Sequence, residues 1–266
     1  MRQTGLPSVT GGMRGLTSAI IIGTAMAGAL GASASPASDW EAALSSHLSA
    51  PDPTGLRRFD YERFVADADA GAVLDTYIAE LASSGPPDGD DEATAYWANL
   101  YNAVTIDVVA DNYPVESIRD IRSGVFRPGP WKRGLVTVDG ETLSLDDIEH
   151  GILRVHYPDP LIHYMVNCAS VGCPNLQPRL WRAETLDADR QSAAREFVNS
   201  PRGIRRDKDR LVVSSIYKWY DEDFGGNRSS VIEHIRTYAD VESLALIGDA
   251  DRYDDHAYDW SLNAPE

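Results

Sequence analysis

The sequence is short of cysteine, of positive charge and of long apolar runs, and each shortage excludes something. Only two of the 266 residues are cysteine, Cys168 and Cys173, so a disulfide-rich scaffold is ruled out. Lysine and arginine number 24 against 41 aspartates and glutamates, a formal charge of −17. The first 34 residues hold Arg2 and Arg14 and no acid, so the remainder is more acidic still. Such a surface repels phosphate backbones and argues against nucleic acid and anionic membranes as partners. Carboxylates that simply meet water account for the acidity equally well, so the charge selects no chemistry. A P-loop and a G-x-G-x-x-G turn are both missing, and no nucleotide cofactor is expected. His150, His156, His163, Cys168 and Cys173 are ligand types, but neither H-E-x-x-H nor paired C-x-x-C spacing occurs, and no metal is expected. The acidic run Asp251 to Asp259 lacks the residue order of a calcium loop. No internal repeat is present.

The one long apolar run, Leu16 to Ala32, follows Arg2 and Arg14 and leads into Ala32-Ser33-Ala34. A charged start, a short apolar stretch and an A-x-A site define a secretory leader, cleaved near Ala34, and imply a periplasmic or secreted protein. A membrane anchor is the alternative, but Gly23, Thr24 and Gly28 interrupt a run already marginal against the ~20 apolar residues of a spanning helix. No comparable run follows, so stable membrane insertion after cleavage is not expected. The remaining length fits one domain or a tightly joined pair and can bury a core without staples.

Residues 39–81 carry helical spacing, with Phe59, Phe64, Val65, Leu74, Ile78 and Leu81 as candidate buried positions. The Ser-, Gly- and Pro-rich stretch 83–90 reads as a loop. It separates an N-terminal helical region, 35–89, from a main body, 90–266. In that body 92–112 is the clearest helix, and Leu135 to Leu143 is a hairpin turning at Asp139-Gly140. Ser144 and Asp147 cap a helix over 145–156. The apolar run Leu161 to Val166 reads as a buried strand entering a small-residue turn, 167–174. Further helices are expected over 187–199 and 229–239, and a strand over Leu211 to Ile216. The mixture indicates α+β, helices packed on a small mixed or antiparallel sheet.

Cys168, where the expected strand opens into a turn, is the candidate nucleophile, since a thiol needs only a nearby base to become reactive. A buried cysteine, or a bridge to Cys173, is the competing reading. Strand alternation puts His163 on the face opposite Cys168, as a packed, hydrogen-bonded histidine. His150, from another element, is the candidate base. Asp146 and Arg154 lie one helical turn to either side of it, whereas Glu149 points about 100° away. Asn99 and Asn102, three apart in an apolar helix, suggest a polar network or substrate contact, and Asn102 or Asp146 could orient the imidazole. Backbone amides after Cys168 could hold an oxyanion.

Several segments resemble the hallmark segments of the family known as domain of unknown function 547. They are Tyr96-Trp97-Ala98-Asn99-Leu100-Tyr101-Asn102-Ala103, Asp147 to Arg154, His163 to Ser170 with Cys173-Pro174, Lys218 to Phe224, and Tyr258 to Asn263. The resemblance runs over roughly 90–263. It implies a retained cysteine at Cys168, with serine in some members at the position of Cys173. It also implies a retained Glu-His-x-Ile-Leu-Arg segment, here Glu149, His150 and Arg154, and no general histidine at the position of His163. It is compatible with a papain- or transglutaminase-like cysteine enzyme. Arg154, Asn167 and Ser170 join Asn99, Glu149 and His163 as supporting or substrate-binding candidates. The expected function is a cysteine hydrolase or acyltransferase acting on a peptide or other small amide or thioester. The rival is a non-catalytic envelope or exopolysaccharide-associated binding domain that uses Trp97, Trp131, Trp181 and Trp219.

The leader reading is tested by N-terminal sequencing of exported material. Mature chains should begin within a few residues of Ser35, and intact Met1 recovered from membranes would contradict it.

Overall fold

The computed structural model describes residues 35–122 and 129–265; the expected leader lies outside them. Residues Ala34–Glu266 form one compact unit, so the helices before residue 85 and the body after it share a single packing arrangement.

Each N-terminal helix begins where a side chain can take up a free backbone N–H. Ser35 caps α1 (Pro36–His47) in a reciprocal pair with Ser38, Asp60 caps α2 (Tyr61–Ala66), and Asp67 caps α3 (Ala68–Ser84). Gly85, at φ 66°, ends α3 in a conformation that costs a glycine little. Helix α4 (Asp90–Ala110) opens on Asp90, Asp91 and Glu92, whose charges suit a helix N-terminus. Leu100, Tyr101 and Val104 pack into one apolar cluster, Ile106 and Val109 into another. A helix apolar all round belongs inside. It joins the N-terminal helices, which supply Trp40, Phe64 and Leu74, to the rest of the body. Val65, expected in the core, is 50% exposed, because Tyr61 and Phe64 take the buried face of α2 and leave Val65 off it.

Strands β1 (Val136–Val138) and β2 (Glu141–Leu143) pair antiparallel around Asp139 and Gly140, both at positive φ, the turn expected from the sequence. Ser144 and Asp147 exchange hydrogen bonds at the head of a π-helical segment, Asp147–Leu153, continued by α5 (Arg154–His156). After α6 (Leu186–Val198) comes a three-stranded mixed sheet. In it β4 (Arg210–Ser214) pairs antiparallel with β3 (Ile204–Asp207) and parallel with β5 (Asp255–Ala257). Helices α7 (Ile216–Trp219), α8 (Arg228–Tyr238) and α9 (Val241–Ile247) lie between β4 and β5 in sequence. The class is α+β.

The strand expected over 161–166 is instead a 3₁₀-helix, Pro160–Tyr164. Pro160 fixes the first residue, and the Asp159 carboxylate accepts from the Leu161 N–H at 2.8 Å, so local chemistry starts a helical turn. Periodicity alone does not separate so short an apolar run from a strand. His163 is thereby freed from the alternation that set it opposite Cys168.

A buried polar chain links this 3₁₀-helix to α8. Tyr217 and Tyr164 hydroxyls lie 3.1 Å apart, and Tyr164 lies 2.7 Å from His234 Nε2. Burial lowers the His234 pKa to about 4, so its neutral ring can accept from Tyr164. Because the folded value lies below the unfolded one, this stability is complete above pH ~6.5 and is lost as pH falls towards ~4. Replacing His234 with Asn should therefore remove about 1–2 kcal/mol from the stability difference between pH 7 and pH 4.5 in urea titrations. An unchanged difference would contradict this assignment.

Candidate functional site

Between the 3₁₀-helix and Asn175 the chain has no helix or ladder of its own, yet Cys168 sits in this stretch. Its backbone groups must find other partners if they are not to cost free energy. Asn102 on α4 supplies two: its amide donates to Met165 O at 2.9 Å, and its carbonyl accepts from Asn167 N at 2.8 Å. Asn99, one turn earlier, makes the same two-way bond with Trp181, at 2.9 and 3.0 Å. Trp181 Nε1 then also donates to Met165 O. The polar network expected of these two asparagines is present. Asn102 clamps backbone and meets no imidazole in it, so the orienting role offered for it does not hold.

Asn167, 3% exposed, closes the turn by donating to Pro174 O and accepting from Ala169 N. Ala169 is held at φ 60°, a conformation that a non-glycine residue adopts at a cost. The C-terminal segment then straps the turn from outside. Val171 N and Gly172 N each donate at 2.8 Å, to Ser261 O and Asp259 O, while Asn263 N donates to Ala169 O. A Cβ on Gly172 would come within 2.9 Å of the Asp259 backbone, so this approach needs glycine. The amides of Cys168, Ala169, Val171, Gly172 and Cys173 are all engaged within this framework. The oxyanion donors expected from the turn are therefore already committed.

Cys168 Sγ lies 2.6 Å from Cys173 Sγ, 3.2 Å from the Tyr258 hydroxyl and 3.5 Å from Ser170 Oγ. Both cysteines are free thiols; Cys168 is partly exposed and Cys173 buried. Burial acts to raise the Cys173 thiol. The bonds that its sulfur accepts from Cys168, Tyr258 and the Cys168 and Ser170 amides outweigh this and hold it below the usual value. The hydrogen bond to Cys173, burial and the charge on Cys173 push Cys168 well up. The first proton thus leaves from the Cys173 side. Burial and both sulfurs raise Tyr258 far above its ordinary range, and it stays a donor.

The two thiols open into a cavity of about 230 Å³, whose lining also includes Asp146, Glu149, His150 and His163. His163 Nε2 lies 2.6 Å from Asp223 Oδ2, and its ring stacks on Tyr220 at 4.4 Å between centroids. Arg154, expected near His150, instead binds Asp223 through Nε at 2.6 Å and Nη2 at 3.1 Å, and also binds Glu222. Burial raises Asp223, but the bonds from His163 and Arg154 dominate and hold it well below the usual carboxylate range. His150 has looser company: Asp146 at 4.0 Å, Glu149 at 3.9 Å and the Tyr220 ring. Its Nδ1 is buried without a hydrogen-bond partner. No histidine is among the hydrogen-bond partners of Cys168 Sγ in the described residues.

The residues that sequence reasoning missed are Asp223, Tyr220, Tyr258 and Trp260. All four sit in the two C-terminal segments quoted for the family resemblance, which was their only signal. No group of three or more potential ligands among the described residues is placed to hold a metal ion. No helix among them is long and apolar enough to cross a membrane.

Residues 88–198 match the family model described as protein of unknown function, DUF547. The match includes the asparagine helix, the Glu149–His150 segment and the cysteine turn, and it ends before Asp223 and Tyr258. No curated protein and no solved structure matches the chain, so the likeness to papain or transglutaminases gains no structural support.

The Asn102 clamp has a measurable consequence. Asn102→Leu strands the Asn167 N–H and should cost ~1–3 kcal/mol in urea unfolding, while moving the Cys168 alkylation midpoint towards the free-thiol value. Unchanged stability together with an unchanged midpoint would contradict the role.

Proposed function

We propose that the protein is a cysteine-dependent acyl-transfer enzyme, a hydrolase or acyltransferase, with Cys168 as nucleophile and His163, rather than His150, as the acid–base group. The observation that carries this reading is one cavity holding a partly exposed thiol, a sulfur acceptor 2.6 Å from it, and an imidazole bonded to a carboxylate. An oriented imidazole is what proton transfer to a leaving group requires. The His163–Asp223 contact of 2.6 Å supports that role better than contacts of 3.9 and 4.0 Å support His150.

Attack of Cys168 sulfur on a carbonyl forms the S–C bond as its proton passes to the Cys173 sulfur. The carbonyl oxygen takes the negative charge beside the Tyr258 hydroxyl, whose one proton can turn to it from the Cys173 sulfur once that sulfur has taken the Cys168 proton. Collapse breaks the bond to the leaving group, which takes a proton from His163 Nδ1, the ring nitrogen that Asp223 does not engage. Water, or an acceptor amine or alcohol, then gives its proton to His163 while attacking the acyl group. Cys168 departs and recovers its proton from Cys173. Export, inferred from residues 1–34, puts this chemistry in the cell envelope or outside it.

A binding role is the second reading, favoured by Trp219, 44% exposed at the cavity mouth with Trp131 and Trp260 beside it. Trp97 and Trp181, expected on such a surface, are buried in the core.

Alkylation of reduced protein across pH separates the candidates. Because Cys173 loses the first proton and then takes that of Cys168, the reactivity of Cys168 should follow the ionisation of Cys173, with a midpoint below the free-thiol value of ~8.5. Cys173→Ser should raise that midpoint by about one unit or more, with His150→Ala and His163→Ala leaving it in place. With p-nitrophenyl acetate, Cys168→Ala should abolish the acylation burst and His163→Ala should slow turnover after it. A midpoint moved by His150→Ala and not by Cys173→Ser would restore His150 as the base. A burst that survives Cys168→Ala would remove the nucleophile.

A further inference from the structure

The cavity beside Cys168 is chemically one-sided. Among the described residues its lining includes the carboxylates of Asp146 and Glu149 and no lysine or arginine. Glu149 is 8% exposed, so its charge faces the cavity rather than bulk water. Its recorded company is the Tyr220 hydroxyl, which hydrogen-bonds to it, and His150 Nδ1 at 3.9 Å, beyond hydrogen-bond reach. Asp146 is no better matched: His150 Nε2 is 4.0 Å away, and Lys132, 3.8 Å away, has a side chain 67% exposed. Surface pairs of that kind contribute little. The structure thus holds two carboxylates in one concave site without a closely bonded cation.

The rest of the lining is largely aromatic. Trp131, Trp219, Tyr258 and Trp260 line the cavity and pack on one another, with Trp219 and Trp260 stacked at 5.5 Å and Trp219 and Tyr258 at 4.8 Å. Ring faces attract cations, most strongly where water is excluded. One of these rings already carries one, Arg119 over Trp260 at 5.2 Å, and Tyr220, also in the lining, carries Arg154 at 4.9 Å. A chain with a net charge of −17 also draws cations towards itself.

We infer that the acyl substrate carries an organic cation, an ammonium or guanidinium group a few bonds from the reacting carbonyl, seated in this cavity against the Glu149 and Asp146 carboxylates and the tryptophan rings. The inference rests on the acyl-transfer reading for the word substrate, but not for the site. A cavity of about 230 Å³ has room for a side-chain-sized group and its carbonyl. The two carboxylates, without a neutralising lysine or arginine in the lining, discriminate against an anion of the same shape.

The test uses full-length reduced protein carrying Cys168→Ala, so that binding is read apart from chemistry. n-Butylammonium, n-butylguanidinium, butyramide, butyrate and methyl glucoside are titrated while tryptophan fluorescence is followed. Both cations should saturate the signal at least about tenfold more tightly than butyramide. Their affinity should fall with added salt, and butyrate should bind most weakly. Glu149→Gln should weaken cation binding about tenfold and leave butyramide unchanged. Asp146→Asn, at a more exposed position, repeats the measurement should Glu149→Gln fail to fold. Butyramide or the glucoside binding as tightly as the cations, no saturation by any cation, or cation affinity unmoved in the folded carboxylate variants would overturn the inference. Cation binding without any acylation of Cys168 in the native protein would leave this site standing and remove the acyl-transfer reading. Acylation without a cation preference would do the reverse.

Discussion

A cysteine can be placed in a cavity only if the backbone carrying it is fixed, and residues 165–174 have almost no regular structure to fix them. Their hydrogen bonds come instead from four other parts of the chain: Asn102 on the buried helix, Trp181, the C-terminal segment 259–263, and Arg202, which donates to Cys173 O at 2.7 Å. The internal Asn167 bridge completes the set. Because α4 is buried on every side, its two amides are immobile donors and acceptors. The position of the thiol is therefore inherited from the core, and the strained Ala169 backbone is tolerated because its neighbours over-determine it.

Two electrostatic arrangements then divide the chemistry. At the turn, converging donors stabilise one negative charge on the sulfur pair, and the same closeness makes a second ionisation costly. At the 3₁₀-helix, Arg154 secures Asp223 as an anion, and Asp223 fixes one nitrogen of His163. Neither arrangement bonds to the other; what joins them is the cavity, where a bound carbonyl would touch both. Tyr220 stands between the histidines, stacked on His163 and near His150.

Much of the fold is readable in the sequence where a local signal decides the outcome. The Asp139-Gly140 hairpin and the Ser144–Asp147 cap follow from turn and capping chemistry, and α4 announces itself by apolar residues at helical spacing behind an acidic first turn. Leu161 to Val166 failed because a short apolar run carries no period, and the decisive residues, Asp159 and Pro160, lie before it. The strand reading is what set His163 on the face opposite Cys168 and turned the choice of base towards His150, and the 3₁₀-helix removes that geometric argument. Cys168, His150, His163, Glu149 and Asp146 do meet in one cavity. Asp223 and Tyr258 were beyond local reasoning, since each reaches the site from 60 residues or more away in sequence. The engagement of the turn amides was equally invisible, because their acceptors belong to the far C-terminal segment.

The central claim is that Cys168, and not the more acidic but buried Cys173, becomes acylated. The most direct measurement is peptide mapping by mass spectrometry after acid quench of the reduced protein, mixed for milliseconds with a small activated thioester. The account predicts one acyl group, on Cys168, that appears at stoichiometric burst and decays on longer incubation. An acyl group carried by Cys173, or none on either sulfur while the protein remains folded, would contradict it.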